Sequence, residues 1–137
     1  MLQPNKILVI RFSSLGDLIL TSPIFRELRR IFPGANLNLL TSVGFGDVLD
    51  NNPHLDRIIK HPRKENFEQL NQLIEELQAE EFDLIYDAHR SMRSRWIVSR
   101  LTNFGMKRQP AVWKINKRTL NRKLLIHLGW NRLQQGL

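Results

Sequence analysis

The chain is 137 residues long, enough for one domain with its own core, and its 42% hydrophobic and 25% charged residues exclude a disordered polymer. Its formal net charge is +8, and it has no cysteine; this excludes disulfides and thiolate metal sites and is compatible with a reducing compartment. No apolar run approaches the roughly 18–20 residues of a membrane span, and the start MLQPNKILVI lacks the layout of a signal peptide, so a soluble intracellular protein is expected.

KILVI (Lys6–Ile10) is continuous, branched and short, which predicts a buried parallel strand. Residues 17–32 predict helix, with Ile24, Leu28 and Ile31 on its apolar face. Within it, Ser22-Pro23 reads either as an N-cap and first helical residue or as a kink in one longer helix. Pro33-Gly34 ends the element. NLNLLT (Asn36–Thr41) alternates with period two and predicts a second strand. A short helical piece follows at Gly46–Asn51, and RIIKH (Arg57–His61) predicts a third strand. Residues 66–80 give the clearest helix, with Phe67, Leu70, Leu73, Ile74 and Leu77 on one stripe. FDLIYDA (Phe82–Ala88) predicts a fourth strand, and Ser91 can cap a helix running to about Asn103. A fifth short strand is placed near Pro110–Trp113, although proline weakens that assignment. Residues 117–134 carry Leu120, Leu124 and Leu128, an amphipathic helix with a basic outer face. Alternating strands and helices predict an α/β, Rossmann-like fold with a mostly parallel sheet.

In such sheets ligands bind outside the carboxyl ends of the strands. The loop Ser13-Ser14-Leu15-Gly16-Asp17 occupies the first of those ends. Its hydroxyls and amides suit an anion, but Asp17 opposes one. Two readings of Asp17 stand side by side. It is a first-turn helix cap, or it is a base that accepts a proton from a neutral hydroxyl, a task for which burial or neighbours can raise a carboxyl pKa. At the end of the fourth strand, Asp87-Ala88-His89-Arg90-Ser91-Met92-Arg93 places Arg90, Arg93 and Ser91 within reach of the same cleft. Arginines there suit carboxylate or phosphate. Arg63 and Lys64 follow the third strand and add positive charge. The four histidines, His54, His61, His89 and His127, have no ligand spacing, so no metal is expected. Gly44-Phe45-Gly46 reads as a turn, and Trp96, Trp113 and Trp130 read as core or domain-contact residues.

Charge is split along the chain. Residues 1–87 hold nine Lys/Arg and all thirteen Asp/Glu, net −4; residues 88–137 hold twelve Lys/Arg and no acid, net +12. That points to an anionic partner (nucleic acid, acidic lipid or an anionic saccharide) or, more blandly, to a solvated basic helix.

KILVIRFSSLGDLILTSPIFRELRRIFPGANLNLLT closely resembles the amino terminus of the ADP-heptose:lipopolysaccharide heptosyltransferases, glycosyltransferase family 9. FDLIYDAHRSMRSRWIVSRL resembles their fourth strand and the helix after it. The resemblance implies the amino-terminal half of a GT-B architecture. That half binds the acceptor, and a second Rossmann-like domain binds the nucleotide-sugar donor. It implies an inverting transfer with no metal and no cofactor beyond the donor as co-substrate. Asp17 matches the family's general base. Ser13, Ser14, Gly16, Arg63, Lys64, Arg90 and Arg93 are then candidates for binding an anionic glycolipid acceptor. The family often has a glutamine-glycine pair where this chain has His89-Arg90. The resemblance also implies residues 1–115 as the acceptor-side domain and 116–137 as a basic helix or linker. A donor domain is not found in the sequence and would be a separate partner, or the chain would work as a homo-oligomer. The expected location is the cytoplasm, with peripheral contact at the inner face of a bacterial inner membrane. The alternative is a non-catalytic module whose basic third binds nucleic acid or an anionic membrane surface; nucleic acid is disfavoured because exposed aromatics are not interleaved with the cations. A flavodoxin-like nucleotide-binding domain is least favoured, since Asp17 stands where its phosphate would sit.

Overall fold

A computed structural model describes residues 2–103 and 109–114. Ten elements follow one another: β1 (Lys6–Ile10), α1 (Leu15–Leu20), α2 (Ser22–Ile31), β2 (Asn36–Ser42), a 3-10 turn (Gly46–Leu49), β3 (Arg57–His61), α3 (Phe67–Ala79), β4 (Leu84–Asp87), α4 (Met92–Asn103) and β5 (Ala111–Lys114). The five strands form one sheet in the order β3-β2-β1-β4-β5. Every neighbouring pair is parallel, with Ile10 opposite Leu40 on one side and Asp87 on the other. The fold is a Rossmann-like α/β sheet. The predicted 117–134 helix, with Leu120, Leu124 and Leu128, lies outside the described residues, as do His127 and Trp130.

Alternate strand residues serve two cores. Ile7, Val9, Leu37, Leu39 and Leu84 meet Leu18 of α1 and Ile24, Phe25 and Leu28 of α2. Leu8, Ile10, Leu40 and Ile85 face the other way, onto Leu73, Ile74 and Leu77 of α3 and Ile97, Val98 and Leu101 of α4. Helices therefore cover both faces, as parallel crossovers require. Each fully buried aliphatic side chain contributes about 1.5–3 kcal/mol.

The structure differs from the sequence reading at several places. Residues 15–31 form two helices joined at Thr21, which is the C-cap of α1 and the N-cap of α2. Ser22 is thus inside α2, and Pro23 sits in its first turn, where a missing N–H costs nothing. The break resets the helical phase. Phe25 is fully buried, and Ile31 is 48% exposed. Phe67 opens α3 ahead of its packed face and is 68% exposed. The period-two pattern of β2 predicts one wet face, but the strand is central and buried on both. Asn38 is accommodated there because its side-chain amide donates to Ile7 O (3.2 Å) and Asn36 Oδ1 (2.7 Å). Trp96 and Trp113 are exposed and belong to neither core.

Candidate functional site

In this strand order the chain leaves β1 toward β2 and β3, then returns to β4 on the opposite side of β1. The carboxyl ends of β1 and β4 flank the switch point, where the two following loops diverge and leave a crevice. Arg11–Asp17 comes from one side and Ala88–Arg93 from the other.

Ser14 is the N-cap of α1, and Asp17 is its third residue. The pair forms a capping box. Asp17 Oδ2 accepts from the Ser14 hydroxyl (3.0 Å) and from the Ser14 amide (3.4 Å). It also takes a salt bridge from Arg11 Nη2 (2.9 Å). Three donors thus converge on one carboxylate oxygen. Among the described residues Oδ1 has no hydrogen-bond partner, and the Asp17 side chain is 52% exposed. The cap and the exposed carboxylate are one residue, so the two sequence readings of Asp17 are compatible. Burial pushes its carboxyl up, but the Ser14 hydroxyl and amide and the Arg11 guanidinium outweigh it and hold it below the ordinary aspartate value. Burial can raise a carboxyl, but here the neighbours stabilise the anion more than burial penalises it.

Arg11 is the residue that sequence reasoning missed. Its Nη1 donates to Ala88 O (2.7 Å), while Nη2 holds Asp17. One guanidinium therefore ties the loop after β1 to the loop after β4. A second tie lies beside it: the Phe12 amide donates to His89 Nδ1 (3.2 Å), and the two rings meet edge to face. Burial pushes the His89 imidazole below its ordinary value, helped by Arg11 and Arg93 and opposed by Asp87 and Asp17. Nδ1 accepts a hydrogen bond, which is the role of a neutral ring.

Asp87 shapes the second loop from beneath. Its buried carboxylate accepts from the His89 amide (3.1 Å), the Arg90 amide (2.8 Å) and the Ser94 hydroxyl (3.1 Å). The turn it holds puts Arg90 at φ 56°, left-handed backbone that favours glycine. Ser91 caps α4: its Oγ accepts from the Ser94 amide (3.1 Å), and its amide donates back to Ser94 Oγ (2.9 Å).

Arg93 is committed to structure. Nη2 donates to Glu65 Oε2 (2.7 Å) and to Pro62 O (3.0 Å), and the guanidinium lies 3.9 Å from the Phe12 ring centroid. Glu65 is almost fully buried and also meets His61. Arg93 thus fastens α4 to the loop after β3. In that loop Arg63 and Lys64 are exposed, and no salt bridge among the described residues engages them. Arg63 lies over the Phe45 ring, 5.0 Å from its centroid. Phe45 belongs to the turn after β2, where Gly44 takes φ 90°. The structure joins Ser14, Asp17 and Arg11 directly, but shows no contact from Arg63, Lys64 or Arg93 to Asp17. Ser13 is half-buried between Phe12 and Ser14. Gly16 is exposed, and a Cβ there would meet nothing within 4 Å, so the first turn of α1 is open on that side.

No family model matches the chain. Curated relatives do. It is 27% identical over 130 residues to lipopolysaccharide heptosyltransferase 1 of Escherichia coli K12, covering 86% of this chain and 41% of that protein. It is 28% identical over 114 residues to lipopolysaccharide heptosyltransferase 3 of Escherichia coli, covering 72% and 32%. In fold it superposes on a glycosyl transferase family 9 structure from Veillonella parvula with a TM-score of 0.75 at 20% identity, covering 96% of this chain and 44% of that one. Over most of its own length the chain is similar to lipopolysaccharide heptosyltransferases. The E. coli heptosyltransferase WaaC, solved with ADP-2-deoxy-2-fluoro heptose, matches with a TM-score of 0.65 at 24% identity, covering 93% and 41%. At these identities the structural likeness establishes the shared fold. The chain spans about two fifths or less of the length of these curated relatives.

Proposed function

We propose that this chain is the acceptor-binding half of a heptosyltransferase-like glycosyltransferase, with Asp17 as the base. The observation that carries the reading is the half-exposed Asp17 carboxylate at the switch-point crevice, held by Ser14 and Arg11 through Oδ2, with no hydrogen bond from the described residues on Oδ1. A carboxylate so held is ionised at neutral pH and ready to take a proton. In the proposed reaction an acceptor hydroxyl oxygen attacks the anomeric carbon of a nucleotide-bound sugar. The bond from that carbon to the diphosphate breaks, the nucleoside diphosphate leaves, and the hydroxyl proton passes to Asp17. Attack opposite the leaving group inverts the anomeric centre. A strong base is not required, because the hydroxyl becomes acidic only as its oxygen bonds to an electron-poor carbon.

The relatives are lipopolysaccharide heptosyltransferases, and WaaC is solved with an ADP-heptose analogue, which supports an ADP-heptose donor and a lipopolysaccharide-core acceptor, for which we propose an acidic glycolipid. Arg63 and Lys64, exposed at the end of β3, are suited to that acceptor's anionic groups. The reading places the donor site in a second GT-B domain and the reaction at the cytoplasmic face of the inner membrane. Among the described residues no helix is long and apolar enough to cross a membrane. The test supplies the chain with a donor-binding domain from the family and measures heptose transfer from ADP-heptose to a lipopolysaccharide-core acceptor. Transfer that needs both components is expected. A chain that neither binds the acceptor nor supports transfer would reject the reading.

A further inference from the structure

Asp17 carries three donors on Oδ2 and none from the described residues on Oδ1. Two of the three come from Ser14, three residues away, and move with α1. The third comes from Arg11, which lies outside the helix and is anchored at Ala88 O on the other side of the crevice. The Arg11 side chain is only 14% exposed, so its charge is poorly screened where it meets the carboxylate. The fork of the guanidinium matters here. Nη1 and Nη2 reach two acceptors on two loops at once, which an ammonium point charge does not reproduce. The other charged groups near the pair are His89, which is in electrostatic contact with Asp17, Arg11, Arg93 and Asp87, and Arg93 itself, held over Phe12 by Glu65.

We propose that Arg11 is the positioning residue of the site: it fixes Asp17 through Oδ2 from the β4 side, so that Oδ1 is the atom left to receive the acceptor's proton. The role rests on the reading of Asp17 as the base, but the coupling itself is measurable without any transfer. Arg11 also sets the geometry of that base by the position of the loop after β4. A shift of Ala88 moves the guanidinium, and the guanidinium moves the carboxylate.

The test is a carboxyl-carbon NMR titration of the whole chain, labelled at aspartate, for wild type, Arg11→Met and Arg11→Lys. In wild type the Asp17 midpoint is expected below the ordinary aspartate range. Arg11→Met is expected to move it up, and Arg11→Lys to fall between, since lysine restores charge but not the second contact. A midpoint unmoved in Arg11→Met, with the amide spectrum otherwise native, would overturn the proposal. If Arg11→Met does not fold, Arg11→Lys decides: an upward shift supports the role, and a wild-type midpoint rejects it. An arginine that acted only through its bond to Ala88 O would change stability and leave the midpoint in place. Loss of the base reading shows instead as transfer that survives Asp17→Asn, so the two failures are told apart.

Discussion

Helices α1 and α3 begin with the same local device and use it for different ends. In α3 the Asn66 side chain accepts from the Gln69 amide (2.8 Å), and the Gln69 side chain accepts from the Asn66 amide (3.1 Å). That box is closed on itself, and the helix behind it buries Leu73, Ile74 and Leu77. In α1 the box of Ser14 and Asp17 is open. Its carboxylate is shared with Arg11, whose other nitrogen sits on Ala88 of the loop after β4. The helix behind it is six residues long and buries only Leu18, while Leu15, Ile19 and Leu20 are exposed. Packing holds α3, whereas polar contacts across the switch point hold the start of α1. The difference is that the α1 cap, through Arg11, is tied to a second loop, while the α3 cap is not.

The comparison breaks most visibly at Asp17. Asp17→Asn keeps the shape of the cap and removes the proposed base, so transfer in the complemented assay should fall by about 10²–10⁴-fold. Core packing gives the next largest effect. Leu77→Ala in α3 should cost about 2–5 kcal/mol by denaturant unfolding, whereas Ile19→Ala on the exposed face of α1 should stay within about 0.5 kcal/mol. Asn66→Ala should cost about 1 kcal/mol of stability and leave transfer unchanged, since the α3 box has no role beyond its helix. Arg90→Gly should stabilise the chain by up to about 1 kcal/mol, because glycine meets φ 56° without strain.

The smallest expected effect is a pH dependence. His89 has a lowered pKa in the folded chain, so the unfolded chain binds its proton first as pH falls. The His89 contribution is present above the unfolded value of about 6.5 and is lost as pH falls through the folded value. Unfolding midpoints should therefore decline with acidification below about pH 6.5, and His89→Gln should remove that component. A decline of equal slope in His89→Gln would place its cause elsewhere.

Strand positions were legible because each apolar run was short, branched and bounded by turn residues. RIIKH and KILVI are strands with the predicted ends. The proline before β5 did not prevent a strand, since Pro110 lies just outside it and β4 lends its partners from Leu84 to Asp87. The burial of β2 was not legible, because a period-two pattern does not reveal a central position in a sheet. Asp17 was legible as an acid at a helix start, but its pairing with Ser14 was not read from the sequence. Arg11 was not legible, because its carbonyl acceptor lies 77 residues away in sequence. Arg93 was placed near the crevice by the sequence, yet Glu65 and Pro62 hold its guanidinium. Only the fold brings an acid from the third loop to that arginine.

The most direct test of the account measures stability and transfer together for Asp17→Asn and Asn66→Ala, each against wild type and each supplied with the same donor-binding domain. The account predicts opposite patterns: Asp17→Asn stays folded with transfer lost, and Asn66→Ala is destabilised with transfer kept. Wild-type transfer by a folded Asp17→Asn chain would contradict it.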